Sequence, residues 1–257
     1  MELISTITNG VCKLKLNRPD VFNSFNQKLA FDLQKALDDC EKNDEVRAIL
    51  ITGEGKAFCA GQDLAEAMDP DGPELKSIVT DHYNPIILRI REIEKPIIAA
   101  VNGVAAGAGA NIALACDVVI ATESASFIQA FSKIGLIPDS GGTFFLPRIV
   151  GMQKALALMM TGEKVSAQDA EAMNMIYKYV SDDDFSQEVT KFAEKFAKMP
   201  TRGFGLTKKA INASWTNDLA AQLDLEGVLQ TKAGGTYDFQ EGCNAFLEKR
   251  RPEFKGE

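Results

Sequence analysis

Apolar residues recur along the chain in two periods, and the change between them predicts alternating strands and helices. Two short segments, 3–8 and 11–16, flank Asn9-Gly10, a dipeptide typical of hairpin turns. Over residues 26–40 the apolar positions keep the three-to-four spacing of an amphipathic helix. The apolar run 46–52 then predicts a buried strand. Two strands, a helix and another strand indicate an α/β fold.

Helical spacing recurs farther along the chain and dominates after Arg148. Residues 75–93 predict a helix that Pro85 must start, kink or split, because proline has no N–H to donate. A soft boundary near Met199 divides a core, residues 1–199, from a C-terminal helical segment, residues 200–257. The later amphipathic patterns predict helices over residues 152–160, 167–173, 185–198, 203–214 and 219–230.

Composition sets limits on partners and cofactors. With 257 residues, of which 46% are apolar, the chain can bury a substantial core. A net charge of −8 with no long basic run argues against a nucleic-acid partner. Five cysteines without CxxC spacing and a single histidine, His82, suggest neither a disulfide framework nor a metal site.

The start of the chain and its apolar runs bear on localisation. Met1-Glu2-Leu3 is not followed by the basic and apolar regions of a secretory signal, and no apolar run approaches about 20 residues. We therefore expect no membrane partner. A soluble protein of a reducing compartment, most simply the cytoplasm, is the expectation.

A glycine-rich stretch follows the apolar run 97–101. This run stops at Asn102-Gly103, and Gly107 and Gly109 then open a helix of small residues. Backbone amides at the start of a helix are unpaired and attract negative charge. Close helix packing is one alternative. A dinucleotide site is another, but the third glycine position holds Ile112 and extra residues separate the strand from the glycines.

A second turn carries the only acidic residue of the segment 134–147. This residue is Asp139, within Pro-Asp-Ser-Gly-Gly-Thr. Such a turn suits a helix N-cap, and it also suits a carboxylate that transfers protons. If Ile134, Leu136, Ile137 and Phe144 line the carboxylate, removal from water would raise its pKa.

Two further features precede the glycine stretch. The loop 56–64 is rich in small residues, so a ligand can approach its backbone closely, although an ordinary strand-to-loop turn has the same composition. His82 and Tyr83 precede Pro85. We expect His82 at the surface and Tyr83 packed on an amphipathic helix, with contact to a ligand as the alternative for Tyr83.

Four segments of the chain carry a recognisable pattern: GKAFCAGQDL (55–64), KPIIAAVNGVAAGAGA (95–110), FSKIGLIPDSGGT (131–143) and NAFLEKRRPEF (244–254). Together they resemble the crotonase, or enoyl-CoA hydratase/isomerase, superfamily, in the expected order over nearly the whole chain. The resemblance implies an α/β spiral of ββα turns, followed by a C-terminal helical segment through which family members build trimers, commonly paired into hexamers.

The resemblance also implies which residues hold the substrate. The backbone amides of Gln62 and Ala108 match the two family amides that form an oxyanion hole. No cofactor is implied beyond the coenzyme A that carries the substrate. For Phe246 and Lys249 the local alternative is an amphipathic helix with a solvated lysine. The residues that match coenzyme A contacts are Phe22, Ala60, Gln62, Asp63, Leu64, Phe246 and Lys249.

Departures from the family pattern indicate the reaction. Family hydratases use two glutamates, and the matching positions hold Asn111 and Phe131, neither of which is an acid. Asp139 instead matches the aspartate of isomerase-type members. We therefore predict an isomerase of acyl-CoA thioesters in which Asp139 moves the proton and Asn111 orients the substrate or Asp139, or simply packs. The alternatives are an enoyl-CoA hydratase of fatty-acid breakdown, a dehalogenase or thioesterase, and a binding or assembly protein with little catalysis.

Overall fold

The computed structural model describes all 257 residues and contains two β-sheets. The larger sheet has the order β1-β2-β3-β5-β7-β10 and the smaller one the order β4-β6-β8-β9. The strands are β1 (Leu3–Thr8), β2 (Val11–Leu16), β3 (Ala48–Gly53), β4 (Ala57–Cys59), β5 (Ile97–Val101), β6 (Val104–Ala106), β7 (Val118–Thr122), β8 (Ser126–Ile128), β9 (Lys164–Ser166) and β10 (Lys178–Val180).

The chain alternates between the two sheets. From β3 to β8 each strand of the larger sheet is followed by a strand of the smaller sheet, and helices then lead to the next turn. Strand pairing is parallel throughout except for β1 with β2 and β8 with β9. This confirms the predicted α/β spiral of ββα turns.

The predicted hairpin is confirmed. Thr8 pairs with Val11, and Asn9 and Gly10 adopt φ values of 51° and 77°. Both central residues therefore lie in the left-handed region that a two-residue type I′ turn requires.

Twelve α-helices cover the sheets and the C-terminal part of the chain. The predicted helices are confirmed, with ends that shift by a few residues. They are α1 (Gln27–Lys42), α2 (Leu64–Ala67), α3 (Leu75–Ser77), α4 (Asn84–Glu92), α5 (Ala108–Ala115), α6 (Gly142–Val150), α7 (Met152–Thr161), α8 (Ala167–Ala172), α9 (Phe185–Ala197), α10 (Thr201–Ser214), α11 (Leu219–Gly234) and α12 (Tyr237–Glu248).

The segment around Pro85 is divided. A π-helical turn, Ile78–Tyr83, separates α3 from α4, and Pro85 lies in the first turn of α4. The expectation of a surface His82 is wrong: the residue is 2% exposed and its ring packs edge-on against Phe31, with centroids 5.3 Å apart. Because a π turn is wider than an α turn, it brings both His82 and Tyr83 to the buried side.

Both faces of the larger sheet are covered. Apolar residues of α1, α4 and α5 pack together with one face, whereas α9 covers the other through Val189, Ala193 and Ala197. Burial on both faces is usual for a parallel sheet and explains why β3 and β5 are apolar at every position except Thr52 and Gly53.

The predicted division near Met199 falls in the short connection between α9 and α10. Arg47, which precedes β3, donates to Met199 O at 2.8 Å and to Thr201 Oγ1 at 2.6 Å. Lys208 of α10 reaches back to Asp117 at 2.9 Å. No helix combines the length and apolar character needed to cross a membrane.

Candidate active site

Two turns of the chain meet where α5 begins. Gly107 precedes α5 with φ 52°, and Gly61 of the loop after β4 has φ 95°. A Cβ added to Gly61 would lie 2.9 Å from Ala106 O and 3.5 Å from Ala108 N. The first loop therefore lies against the start of α5, and this close approach requires glycine at position 61.

Two backbone amides at this junction are available to a ligand. Gln62 N–H makes none of the loop and turn hydrogen bonds, and Ala108 N–H, at the first position of α5, has no acceptor within the helix. The loop around Gln62 is nevertheless fixed, because Phe25 N donates to Gly61 O at 2.7 Å and Asp63 N donates to Phe25 O at 2.8 Å. Unpaired amides held in place can bind an anionic oxygen.

Asp139 lies in the turn before α6 and is half-buried. Its carboxylate accepts a hydrogen bond from Ser140 Oγ at 2.8 Å. The helix-cap alternative does not apply, because α6 has no side-chain cap and its N-cap residue is Gly141. Burial raises the pKa of Asp139, and the Ser140 hydrogen bond offsets part of this effect. The group therefore holds its proton more tightly than an exposed aspartate.

Asn111 connects α5 to the turn that carries Asp139. It is fully buried, and its Nδ2 donates to Asp139 O at 2.9 Å while its Oδ1 accepts from Gln129 Nε2 at 2.8 Å. Asn111 also lies against Gly142, where an added Cβ would come within 2.3 Å of its side chain. The side chain thus both packs and orients the backbone of Asp139.

Sequence reasoning missed Gln129 and Ser140. Gln129 is 5% exposed, and its Oε1 has no partner. Its contact with Asn111 joins residues 18 apart, which no local pattern indicates. The available signal was a polar amide in the otherwise apolar segment Phe-Ile-Gln-Ala-Phe.

Apolar side chains near the site are arranged differently from the expectation. Phe131 is buried. The tip of its ring would lie 3.8 Å from a Cβ atom added to Gly107, so the ring faces the start of α5. Ile134 and Ile137 are 53% and 80% exposed, and Leu136 and Phe144 are also exposed. These four residues therefore contribute little to burying Asp139 within a single chain.

The loop residues that match coenzyme A contacts lie near one another. Ala60 N donates to Phe22 O at 2.9 Å, and Phe22, Ala60 and Leu64 are all exposed. Asp63 is already engaged: it accepts from Ala65 N at the start of α2 and pairs with Arg18 at 2.9 Å. Its carboxylate therefore shapes the loop.

Phe246 and Lys249 lie elsewhere in the chain. Both are exposed on α12 or at its end, and Phe246 lines a surface groove together with Cys243 and Phe254. Within one chain the structure does not bring them to the loop of Gln62. No three His, Cys, Asp or Glu side chains are grouped so that they could hold a metal ion.

The spiral fold, the paired glycine turns and the half-buried acid tied to α5 through Asn111 define a class of enzyme. The sequence model for enoyl-CoA hydratase/isomerase matches residues 6–257, and the chain belongs to this family. Among individual relatives, it is 47% identical to the 1,2-epoxyphenylacetyl-CoA isomerase of Escherichia coli K12, over 99% of this chain and 98% of that protein.

Two other comparisons agree with this assignment. The trans-2-decenoyl-[acyl-carrier-protein] isomerase of Streptococcus mutans is 37% identical over 99% of this chain and 98% of its own length. The crystal structure of an enoyl-CoA hydratase from Bacillus anthracis superposes with a TM-score of 0.93 at 34% identity, with both chains fully covered. Relatives therefore include both isomerases and hydratases.

The buried Asn111 predicts a loss of stability on truncation. Asn111→Ala removes a donor to Asp139 O and leaves the buried Gln129 amide without its acceptor, which costs about 1–3 kcal/mol of unfolding free energy. Urea denaturation measures this loss. Asn84→Ala, at an exposed asparagine, serves as the control with a change below about 0.5 kcal/mol. Equal stability of the two variants would contradict the bridging role.

Proposed function

We propose that the protein isomerises acyl-CoA thioesters with Asp139 as the only proton-transfer acid and with the amides of Gln62 and Ala108 as an oxyanion hole. One observation carries the proposal: the half-buried Asp139 is tied through Asn111 to α5, the helix that begins at the Ala108 amide, while the two hydratase positions hold Asn111 and Phe131.

The amides would manage the charge that the reaction creates. Removing the α-proton of a thioester places negative charge on the thioester oxygen. Two N–H groups that are already oriented toward that oxygen stabilise the charge, and each contributes about 3 kcal/mol in comparable sites. Because the donors belong to the backbone, neither the Gln62 nor the Ala108 side chain need touch the reacting atoms.

Asp139 would then carry the proton. It removes a proton from one carbon of the bound acyl group and returns it to another, so the net reaction shifts a double bond without gain or loss of atoms. A raised pKa helps, since a general base works best when its pKa approaches the working pH. Ser140 donates to the same carboxylate and fixes its position.

Addition of water is disfavoured by the same geometry. Both ends of the Asn111 amide are occupied within the chain, and Phe131 presents an apolar ring. Neither residue can activate a water molecule. We therefore expect the rate of crotonyl-CoA hydration to be well below the rate of isomerisation.

Two substrates are compatible with a single proton-transferring carboxylate. One is a 3-enoyl-CoA, whose double bond Asp139 would shift to the 2-position. The other is ring-1,2-epoxyphenylacetyl-CoA, in which an enolate would assist opening of the epoxide and rearrangement to oxepin-CoA. The similarity to the 1,2-epoxyphenylacetyl-CoA isomerase of Escherichia coli supports the second.

The decisive test is a comparison of substrates. The purified protein is incubated with 3-enoyl-CoA, ring-epoxidised phenylacetyl-CoA and crotonyl-CoA, and the products are followed by chromatography and mass detection. We expect turnover of one or both of the first two. Hydration of crotonyl-CoA at the highest rate would support the hydratase alternative, and binding without turnover would support a binding or assembly role.

The pH dependence of turnover should follow Asp139. As a base it must be ionised, so kcat/KM falls as pH drops through the raised pKa, and the midpoint lies above the ordinary aspartate value of about 4. The free energy of unfolding responds to pH in the opposite direction. Because the folded chain binds the Asp139 proton more tightly than the unfolded chain does, the stabilisation from this proton is present at low pH and is lost as pH rises through the raised pKa. A kcat/KM profile between pH 4 and 9 measures the first effect. A midpoint at or below 4 would contradict it.

We also propose that the chain forms trimers, alone or paired into hexamers, in the cytoplasm. Support comes from apolar side chains that the single chain leaves exposed on α10–α12, including Leu219 (75%), Phe246 (83%) and Leu247 (78%). Apolar side chains exposed in this way are available to pack in an interface between subunits. In a trimer, Phe246 and Lys249 would be free to contact coenzyme A bound to a neighbouring subunit. Sedimentation equilibrium should give a mass of three or six chains, and a single-chain mass would contradict the proposal.

A further inference from the structure

A tyrosine outside the proposed chemistry contacts the loop that carries one of the free amides. Tyr83 is fully buried, and its hydroxyl lies 2.6 Å from Gln62 Oε1. It is the last residue of the π-helical turn, an irregularity often found at functional sites. We infer that Tyr83 is a positioning residue that holds Gln62 so that its backbone N–H faces the thioester oxygen, an inference that rests on the function proposed above.

The direction of this hydrogen bond follows from its surroundings. Gln62 Nε2 lies 3.3 Å from Asp63 O and 3.4 Å from a Glu66 carboxylate oxygen, and both of these groups only accept hydrogen bonds. Gln62 Oε1 must therefore face Tyr83, and the phenol donates. Burial raises the pKa of the Tyr83 phenol well above its ordinary value, so the donor proton is retained across the physiological range.

Tyr83 supports the loop in two ways. Phe25 pairs with the backbone on both sides of Gln62, and the Phe25 ring packs edge-on against Tyr83, with centroids 5.9 Å apart and planes 78° apart. The same tyrosine thus contacts the residue that fixes the Gln62 backbone and bonds the Gln62 side chain directly. The peptide unit with the free N–H is held between these two anchors.

Alignment of this N–H decides how much it contributes to catalysis. A donor stabilises a developing oxyanion only when it is oriented before the charge appears. If the hydroxyl is removed, the Phe25 backbone bonds remain, but the side chain of Gln62 keeps only its weaker Nε2 contacts and the Gln62 peptide is held less tightly. The Gln62 side chain thereby acts on the reaction through the orientation of its own backbone.

The test is a double-mutant cycle on isomerisation of 3-enoyl-CoA. Tyr83→Phe should lower kcat about three- to tenfold, the size of one neutral hydrogen bond, with KM little changed. Gln62→Leu, which keeps the backbone N–H, should cause a similar fall. The double variant should be no slower than the slower single variant, because both changes remove the same interaction.

Hydrogen exchange gives a readout that does not depend on turnover. The peptide spanning residues 59–66 should exchange faster in Tyr83→Phe than in the wild type. Tyr177→Phe makes the same chemical change at an exposed tyrosine whose hydroxyl has no partner, and should alter neither kcat nor exchange. A purely structural role for Tyr83 would lower the melting temperature without making the effects on kcat non-additive.

Two results would overturn the inference on its own: Tyr83→Phe with the wild-type kcat and exchange rate, or effects of Tyr83→Phe and Gln62→Leu that add in the double variant. A wild-type protein that isomerises neither 3-enoyl-CoA nor the ring epoxide would instead overturn the proposed function, and this inference with it.

Discussion

Asp139→Asn is expected to lower kcat for isomerisation by about 10²- to 10⁴-fold, the contribution of a positioned general base. Asparagine has nearly the same shape and still accepts from Ser140, but it cannot take up the α-proton. Affinity for a CoA thioester should stay close to that of the wild type, because the proposed oxyanion-hole amides and coenzyme A contacts are unchanged. Steady-state rates and calorimetric binding of a non-reactive acyl-CoA measure the two quantities.

Asp183→Asn is a suitable control for this experiment. Asp183 is exposed and far along the chain from the site, so the same loss of charge should leave kcat unaltered. A near-normal rate for Asp139→Asn would remove Asp139 from the mechanism.

Ala108→Pro should lower kcat by about 10²- to 10³-fold, as the loss of one oxyanion donor does in other enzymes. Ala108 is the first residue of α5, a position where proline is well tolerated because its N–H has no partner within the helix. The substitution therefore removes the donor with little expected effect on the helix. Rates are compared with urea unfolding of the same variant.

Ala108→Gly is the matched control, since it removes the side chain and keeps the N–H. It should retain kcat within a few-fold of the wild type. If the proline variant is stable and as fast as the glycine variant, the amide of Ala108 does not bind the thioester oxygen.

The sequence predicted well those features that depend on neighbouring residues. The hairpin at Asn9-Gly10 follows from two residues that tolerate positive φ, and α1 follows from apolar spacing. The buried strands β3 and β5 were recognisable as uninterrupted apolar runs. Each of these signals is local, and the tertiary structure reinforces it.

Features that depend on contacts distant in sequence could not be predicted in the same way. The Asn111–Gln129 pair and the Tyr83–Gln62 bond join residues 18 and 21 apart, and neither has a pattern within one element. His82 was expected at the surface because histidine is seldom fully buried, whereas the π turn that contains it places it on the buried side. Ile137 was expected near Asp139 on sequence proximity, yet its side chain faces solvent.

The buried amide of Asn111 also restricts how this active site can evolve. A glutamate at position 111 could still accept from Gln129, but it would remove the donor to Asp139 O and bury a negative charge without a cationic partner, at a cost of several kcal/mol. A single substitution of Asn111 by glutamate is therefore expected to lower the stability of the fold. An ancestor that passed between water addition and double-bond migration through position 111 would have needed a compensating change around that side chain, or would have carried a less stable intermediate.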